Sequence, residues 1–178
     1  LQAMQERLTA LGPPPYLGVT WWAGTNTERV RKGKEFSMYK EVPLALLSEA
    51  LRPVNATVLV LQRHPLQEEI DSLAQGLGRA VYDLSTLNEE LEDMLALLAL
   101  LDEYVGVSNT NMHLLAGLGK TARVLVPHPP EWRWLAQGEE SPWFKGFQVY
   151  RQTLELDWSG GLQRLTTDLM ANSGQISR

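Results

Sequence analysis

Residues 104–127 constrain this chain most: they read as a strand, a polar turn, a helix and a second strand in unbroken succession. The first strand (104–107) is apolar, and a helix over 110–118 follows and is stopped by Gly119. The next strand (122–126) is again apolar throughout. Two adjacent strands with no alternation, joined through a helix, are buried on both faces and so parallel.

The same alternation extends along most of the chain. Expected strands lie at 16–22, 57–61, 81–84 and 147–151. Expected helices lie at 44–51, opened by Pro43, at 67–77, ended by Gly78, and at 89–101, capped by Asn88, with a closing helix at 158–170. The fold class is therefore α/β, a Rossmann-like three-layer sandwich on a mostly parallel sheet of about six strands. Residues 1–15 read as the last turns of a helix or a linker broken at Gly12-Pro13-Pro14-Pro15, residues 16–170 as the domain, and 171–178 as a frayed tail. The helical start suggests a chain cut from a longer polypeptide.

Composition narrows the function. With 178 residues and a net charge of −5, a single domain that is not a general nucleic-acid binder is expected, because phosphate-backbone binding needs a basic face. Zero cysteines remove thiolate nucleophiles and cysteine-based zinc sites and fit a reducing compartment, so the cytoplasm is expected. The longest apolar run, 94–101, is far short of the ~20 residues of a spanning helix. His64, His113 and His128 show no metal-ligand spacing, and no GxGxxG, GxxxxGK[ST] or GxSxG occurs.

In an open parallel sheet, ligands bind beyond the carboxyl ends of the strands, and three such ends are unusual. At the first, Ser108, Asn109, Thr110 and Asn111 supply four small polar side chains where a helix begins, and His113 falls in its first turn. The free N–H groups and dipole of a helix N-terminus favour a phosphate there, although capping alone would use one such residue. At the second, Arg29, Arg31, Lys32, Lys34 and Lys40 place five of the 16 basic residues within twelve positions, behind Gly24. Such a cluster is either solvated loop surface or a loop that neutralises a diphosphate. The third is Pro130-Glu131-Trp132-Arg133-Trp134 with Ser141-Pro142-Trp143-Phe144, which reads as an aromatic cluster covering the sheet, with Arg133 stacked between rings, or as a platform for a sugar or base.

These residues resemble a known family. The run Val105-Gly106-Val107-Ser108-Asn109-Thr110-Asn111-Met112-His113-Leu114-Leu115-Ala116-Gly117-Leu118-Gly119-Lys120 resembles the donor-binding signature of glycosyltransferase-B enzymes related to the lipopolysaccharide heptosyltransferases. It is closer still to the glycosyltransferase-like domains that follow tetratricopeptide repeats in bacterial proteins. Tyr16-Leu17-Gly18-Val19-Thr20-Trp21-Trp22-Ala23-Gly24, Lys40-Glu41-Val42-Pro43-Leu44, Val60-Leu61-Gln62, the tryptophan-rich stretch and Tyr150-Arg151-Gln152 match in the same order, over roughly 16–169.

The resemblance implies a carboxy-terminal donor-binding half. The turn at Ser108, Asn109, Thr110 and Asn111 would hold the diphosphate of a nucleotide sugar, with His113 close by. Lys32, Lys34 and Lys40 would assist, and Gly24 and Gln62 would lie at the matching strand ends. The transfer it implies is inverting and independent of metal or cofactor, the nucleotide sugar being substrate. The acceptor is unspecified, and an amino-terminal half or repeat domain of the same parent chain would supply the base. The uncharged Asn109 leaves room for a second reading, a non-catalytic binding or regulatory module on the same fold. An epimerase-type enzyme and a protein-interaction domain using Trp132 and Trp143 are further alternatives.

Overall fold

The structure is a computed structural model and describes residues 1–24 and 40–173. Six strands, β1 (Tyr16–Val19), β4 (Thr57–Val60), β5 (Val81–Asp83), β6 (Glu103–Val107), β7 (Arg123–Val126) and β8 (Gln148–Arg151), form one sheet in the order β5-β4-β1-β6-β7-β8. All five pairings are parallel. This is the doubly wound order in which the chain first builds outward from β1 and then returns to its other side at β6, which makes the β1–β6 junction the topological switch point.

Helices cover both faces. α1 (Gln2–Leu11), α4 (Leu91–Leu100) and α5 (Thr110–Gly117) lie on one side, and α2 (Leu44–Leu51), α3 (Gln67–Leu77) and α6 (Ser159–Ser173) on the other. The central strands β1, β4 and β6 are largely apolar because successive side chains feed different cores. In β4, Leu59 packs with Leu97 and Leu98 of α4, whereas Val58 and Val60 pack with Leu73 and Leu77 of α3. β6 divides in the same way, Tyr104 to the first core and Val105 and Val107 to the second. Met4 and Leu8 of α1 are buried in the first core, so the N-terminal helix packs as part of this body. α6 continues to Ser173, past the expected start of the tail, and residues 174–178 lie outside the described residues.

Two expectations are corrected. The strand expected over 16–22 stops at Val19, and Trp22–Ala23 (β2) pairs antiparallel with Lys40–Glu41 (β3). Gln62 is the cause: its Oε1 accepts from the N–H groups of Trp21 (2.9 Å) and Trp22 (3.1 Å), so those donors leave the main sheet. Nor does Asn88 cap a helix over 89–101. It lies in a 3-10 turn (Ser85–Glu89), and its amide donates to the carbonyls of Ser85 and Leu61 at 2.8 and 3.1 Å, which ties the end of β5 to the end of β4. The helix begins after it, at Leu91.

Candidate functional site

A cleft of about 460 Å³ opens over the switch point, beyond the carboxyl ends of β1, β4 and β6. Its floor is a buried hydrogen-bonded knot. Thr20, just past β1, donates its backbone N–H to Val105 (3.1 Å), and its Oγ1 lies 3.0 Å from the Tyr104 hydroxyl. Asn109 bridges the two, its Nδ2 donating to Thr20 Oγ1 and to the Tyr104 oxygen, both at 3.0 Å. The Asn109 Oδ1 accepts from the Asn111 N–H at 3.0 Å, the N-cap bond of α5. Asn111 Nδ2 reaches the same phenol oxygen at 3.4 Å. Burial pushes the Tyr104 phenol above its usual range, so it stays neutral and acts as donor and acceptor at the centre of the knot.

These bonds tie the end of β1, Tyr104 of β6 and the start of α5 to one another, so the knot sets the direction in which the helix N-terminus points. Asn109 suits this place because an amide both caps the helix and donates to two hydroxyl oxygens, whereas a carboxylate only accepts.

One wall brings a helix N-terminus and a cation together. Ser108, Thr110 and Asn111 line the cleft at the α5 N-terminus, and Lys40 of β3 enters beside them. Lys40 Nζ is paired with the buried Glu131 Oε2 at 2.6 Å, and Glu131 Oε1 accepts from Arg133 (2.9 Å) and Ser108 Oγ (3.1 Å). Burial opposes ionisation of Glu131, but the hydrogen bonds and charge of Lys40, with Arg133 and Ser108, more than offset it and hold the carboxyl below its usual range.

A group with a depressed folded pKa contributes stability that is present above its unfolded value, about 4.3, and is lost as pH falls through the folded one. Denaturant melts at a series of pH values are therefore expected to show wild-type stability declining below about pH 4.3. Glu131→Gln should decline less steeply, and equal slopes in the two proteins would assign the effect to other carboxylates.

The opposite wall consists of Leu61, Arg63, His64 and Asn88. Arg63 pairs with Glu89 at 3.2 Å, and His64 takes a left-handed backbone (φ 50) that a histidine seldom adopts. Trp22, Ala23 and Gly24 form the rim, and Gln62 lies behind it with both ends of its amide engaged by the backbone of residues 21–22 and 63.

Of the residues singled out in the sequence, the structure brings Ser108, Asn109, Thr110, Asn111, Gly24, Lys40 and Gln62 to this one cleft. His113 is not among the lining residues; it is exposed, and its ring stands edge-on to Phe144, 5.1 Å between centroids. Lys32 and Lys34, with Arg29 and Arg31, lie outside the described residues. Sequence reasoning passed over Thr20, Tyr104 and Glu131 as site residues. Thr20 and Tyr104 did carry a signal, as hydroxyls at the ends of otherwise apolar strands.

The tryptophan-rich stretch divides in two. Trp134 is buried and stacked on Phe144 (4.9 Å), while Trp132 and Trp143 stay exposed in edge contact at 4.8 Å, with the Arg133 guanidinium 4.6 Å from the Trp132 ring centre. Arg151 of β8 fixes this loop by donating to the carbonyls of Leu135, Gly138, Gln137 and Trp134.

No protein-family model matches the chain. Over 168 residues it is 26% identical to Protein FlbA of Caulobacter vibrioides, an alignment covering 93% of this chain and 26% of that protein. Among solved structures, the E. coli heptosyltransferase WaaC with ADP superposes at a TM-score of 0.56 with 17% identity, over 93% of this chain and 48% of that one. The same enzyme with ADP-2-deoxy-2-fluoro heptose gives a TM-score of 0.49, also at 17% identity, over 98% of this chain and 48% of that one. The chain thus spans about a quarter of the curated relative and about half of the solved enzyme. No helix among the described residues is long and apolar enough to cross a membrane. The six-stranded parallel sheet with helices on both faces is a Rossmann-like α/β fold, which this chain shares with about half of that solved enzyme.

Proposed function

We propose that this chain is the nucleotide-diphosphate-sugar-binding domain of a glycosyltransferase, whose second half supplies the acceptor site and the base. The observation that carries this reading is the cleft at the β1–β6 switch point, where the α5 N-terminus and Lys40 share one wall. A helix N-terminus presents several backbone N–H groups that its own helix cannot use, and its dipole favours anionic oxygens. Lys40 adds an ammonium beside it, with two of its three donors left over from the Glu131 contact.

In the reaction this arrangement fits, an acceptor hydroxyl attacks the anomeric carbon and forms a new C–O bond from the opposite face, inverting that carbon. The bond from the anomeric carbon to the diphosphate oxygen breaks, and the nucleoside diphosphate departs with the electron pair. The acceptor proton passes to a base on the second half. The dipole of α5 at its N-terminus and the Lys40 ammonium neutralise the charge that grows on the departing oxygen, a contribution worth most in the transition state. Lys32 and Lys34, outside the described residues, are proposed to assist.

Calorimetric titration with ADP-, UDP- and GDP-sugars tests the reading. ADP-sugars come first, because the solved heptosyltransferase carries ADP. Saturable binding of at least one, with little turnover by this chain alone, is expected. The uncharged Asn109 favours one other reading, a non-catalytic module on the same fold; absence of heat with every donor would support that and exclude donor binding.

A further inference from the structure

The donor reading accounts for Lys40 and the α5 turn but leaves a buried carboxylate unexplained behind the wall of an anion site. Glu131 is 7% exposed and does not line the cleft itself, but it bonds two residues that do, Lys40 and Ser108. Its partners come from three separate segments: Lys40 from β3, Ser108 from the turn between β6 and α5, and Arg133 from the loop after β7. Two cations on one carboxylate leave the group with a net charge of +1, so the wall still attracts anions. A lone lysine on a four-carbon stem would lose rotamer freedom when it met a phosphate, and one already held by a carboxylate has less to lose. Lys40 is so held, with 18% of its side chain exposed, and Glu131 takes one of its three N–H donors.

Resting on the proposal that a diphosphate lies at this wall, we infer that Glu131 is a positioning residue for it, holding Lys40 Nζ in register with the α5 N-terminus. The carboxylate acts through Lys40 and does not itself touch the ligand. A carboxylate that served only as an internal counter-ion would have the opposite consequence: removing its charge would strengthen anion binding by Coulomb attraction.

The test is a double-mutant cycle read by calorimetry with ADP and, in parallel, inorganic pyrophosphate, which has neither base nor ribose. Lys40→Met and Glu131→Gln are each expected to weaken both ligands about tenfold, the scale of one charge-assisted hydrogen bond. The double variant should be no weaker than Lys40→Met alone, because a residue that acts through Lys40 has nothing left to position. Thermal unfolding of the same samples separates loss of fold from loss of binding. If Glu131→Gln does not fold, Glu131→Asp, which keeps the charge on a stem one methylene shorter, is expected to weaken both ligands while leaving the fold intact.

Unchanged or tighter binding by the Glu131 variant, or losses that add in the double variant, would overturn the inference while the donor reading stands. Failure of wild type to bind ADP, UDP or GDP would instead remove the donor reading, and this inference with it.

Discussion

Gly106→Ala is expected to lower unfolding free energy by about 3 kcal/mol, the upper range for forcing extra atoms into a packed interior. A Cβ at Gly106 would fall 2.0 Å from Thr20 Oγ1, 3.1 Å from the Thr20 carbonyl oxygen and 3.2 Å from a ring carbon of Tyr104. All three belong to the knot under the cleft, so stability and ligand binding should be lost together. The glycine is needed here for close approach and not for an unusual backbone angle. Combining Gly106→Ala with Thr20→Ala removes the hydroxyl that would be struck first and should recover part of the lost stability, with the remainder set by the Thr20 carbonyl and Tyr104. Chemical denaturation of the three variants reads this directly. An unshifted Gly106→Ala midpoint would mean that Thr20 does not pack against β6 as described.

Trp134→Ala should cost about 4 kcal/mol, as truncation of a buried tryptophan commonly does. The ring is 1% exposed and stacks on Phe144 at 4.9 Å and on Phe147 at 6.4 Å. It anchors the short 3-10 turn Trp132–Trp134, which carries Arg133 and directly follows Glu131. Loss of the ring should therefore weaken nucleotide binding even though Trp134 does not line the cleft. Trp134→Phe is a sensitive control. It keeps a stacked ring and removes an indole N–H that is buried with no hydrogen-bond partner among the described residues, so it should cost far less than the alanine variant. Equal losses for the two would mean that a phenyl ring cannot take over the packing of the indole.

These two sites mark what the sequence made legible. The main strands were visible because most contain a short apolar run bounded by turn residues, and Gly78 and Gly119 ended their helices at left-handed positions (φ 70 and 71), as their sequence context implied. The turn at Ser108 to Asn111 was legible for the same local reason. The partners that give those residues their roles were not. Lys40 meets Glu131 across 91 residues, Asn109 meets Thr20 across 89, and Gln62 reaches back 41 to Trp21. Periodicity and capping patterns report on neighbours within a few turns, whereas these contacts are created by the order of strands in the sheet. Trp134 and Trp132 are equally instructive. Two residues apart in one aromatic stretch, one is core and the other is 59% exposed, and only the packed loop distinguishes them.

The His113 placement has a similar cause. In the sequence it falls in the first turn of the helix that begins at the polar cluster, which suggested a role at the turn. In the structure that part of α5 faces the aromatic loop, and the imidazole lies against Phe144. The residues that line the cleft from α5 are Thr110 and Asn111, at its first two positions.

The central claim is that a nucleoside diphosphate binds at the β1–β6 switch point with its phosphates on the α5 turn. Amide shift mapping by NMR with ADP, UDP and GDP tests it most directly. The largest shifts are expected at Thr20, Lys40, Gln62 and residues 108–111. Saturation with no change at those positions, or shifts confined to the exposed Trp132 and Trp143, would contradict the account.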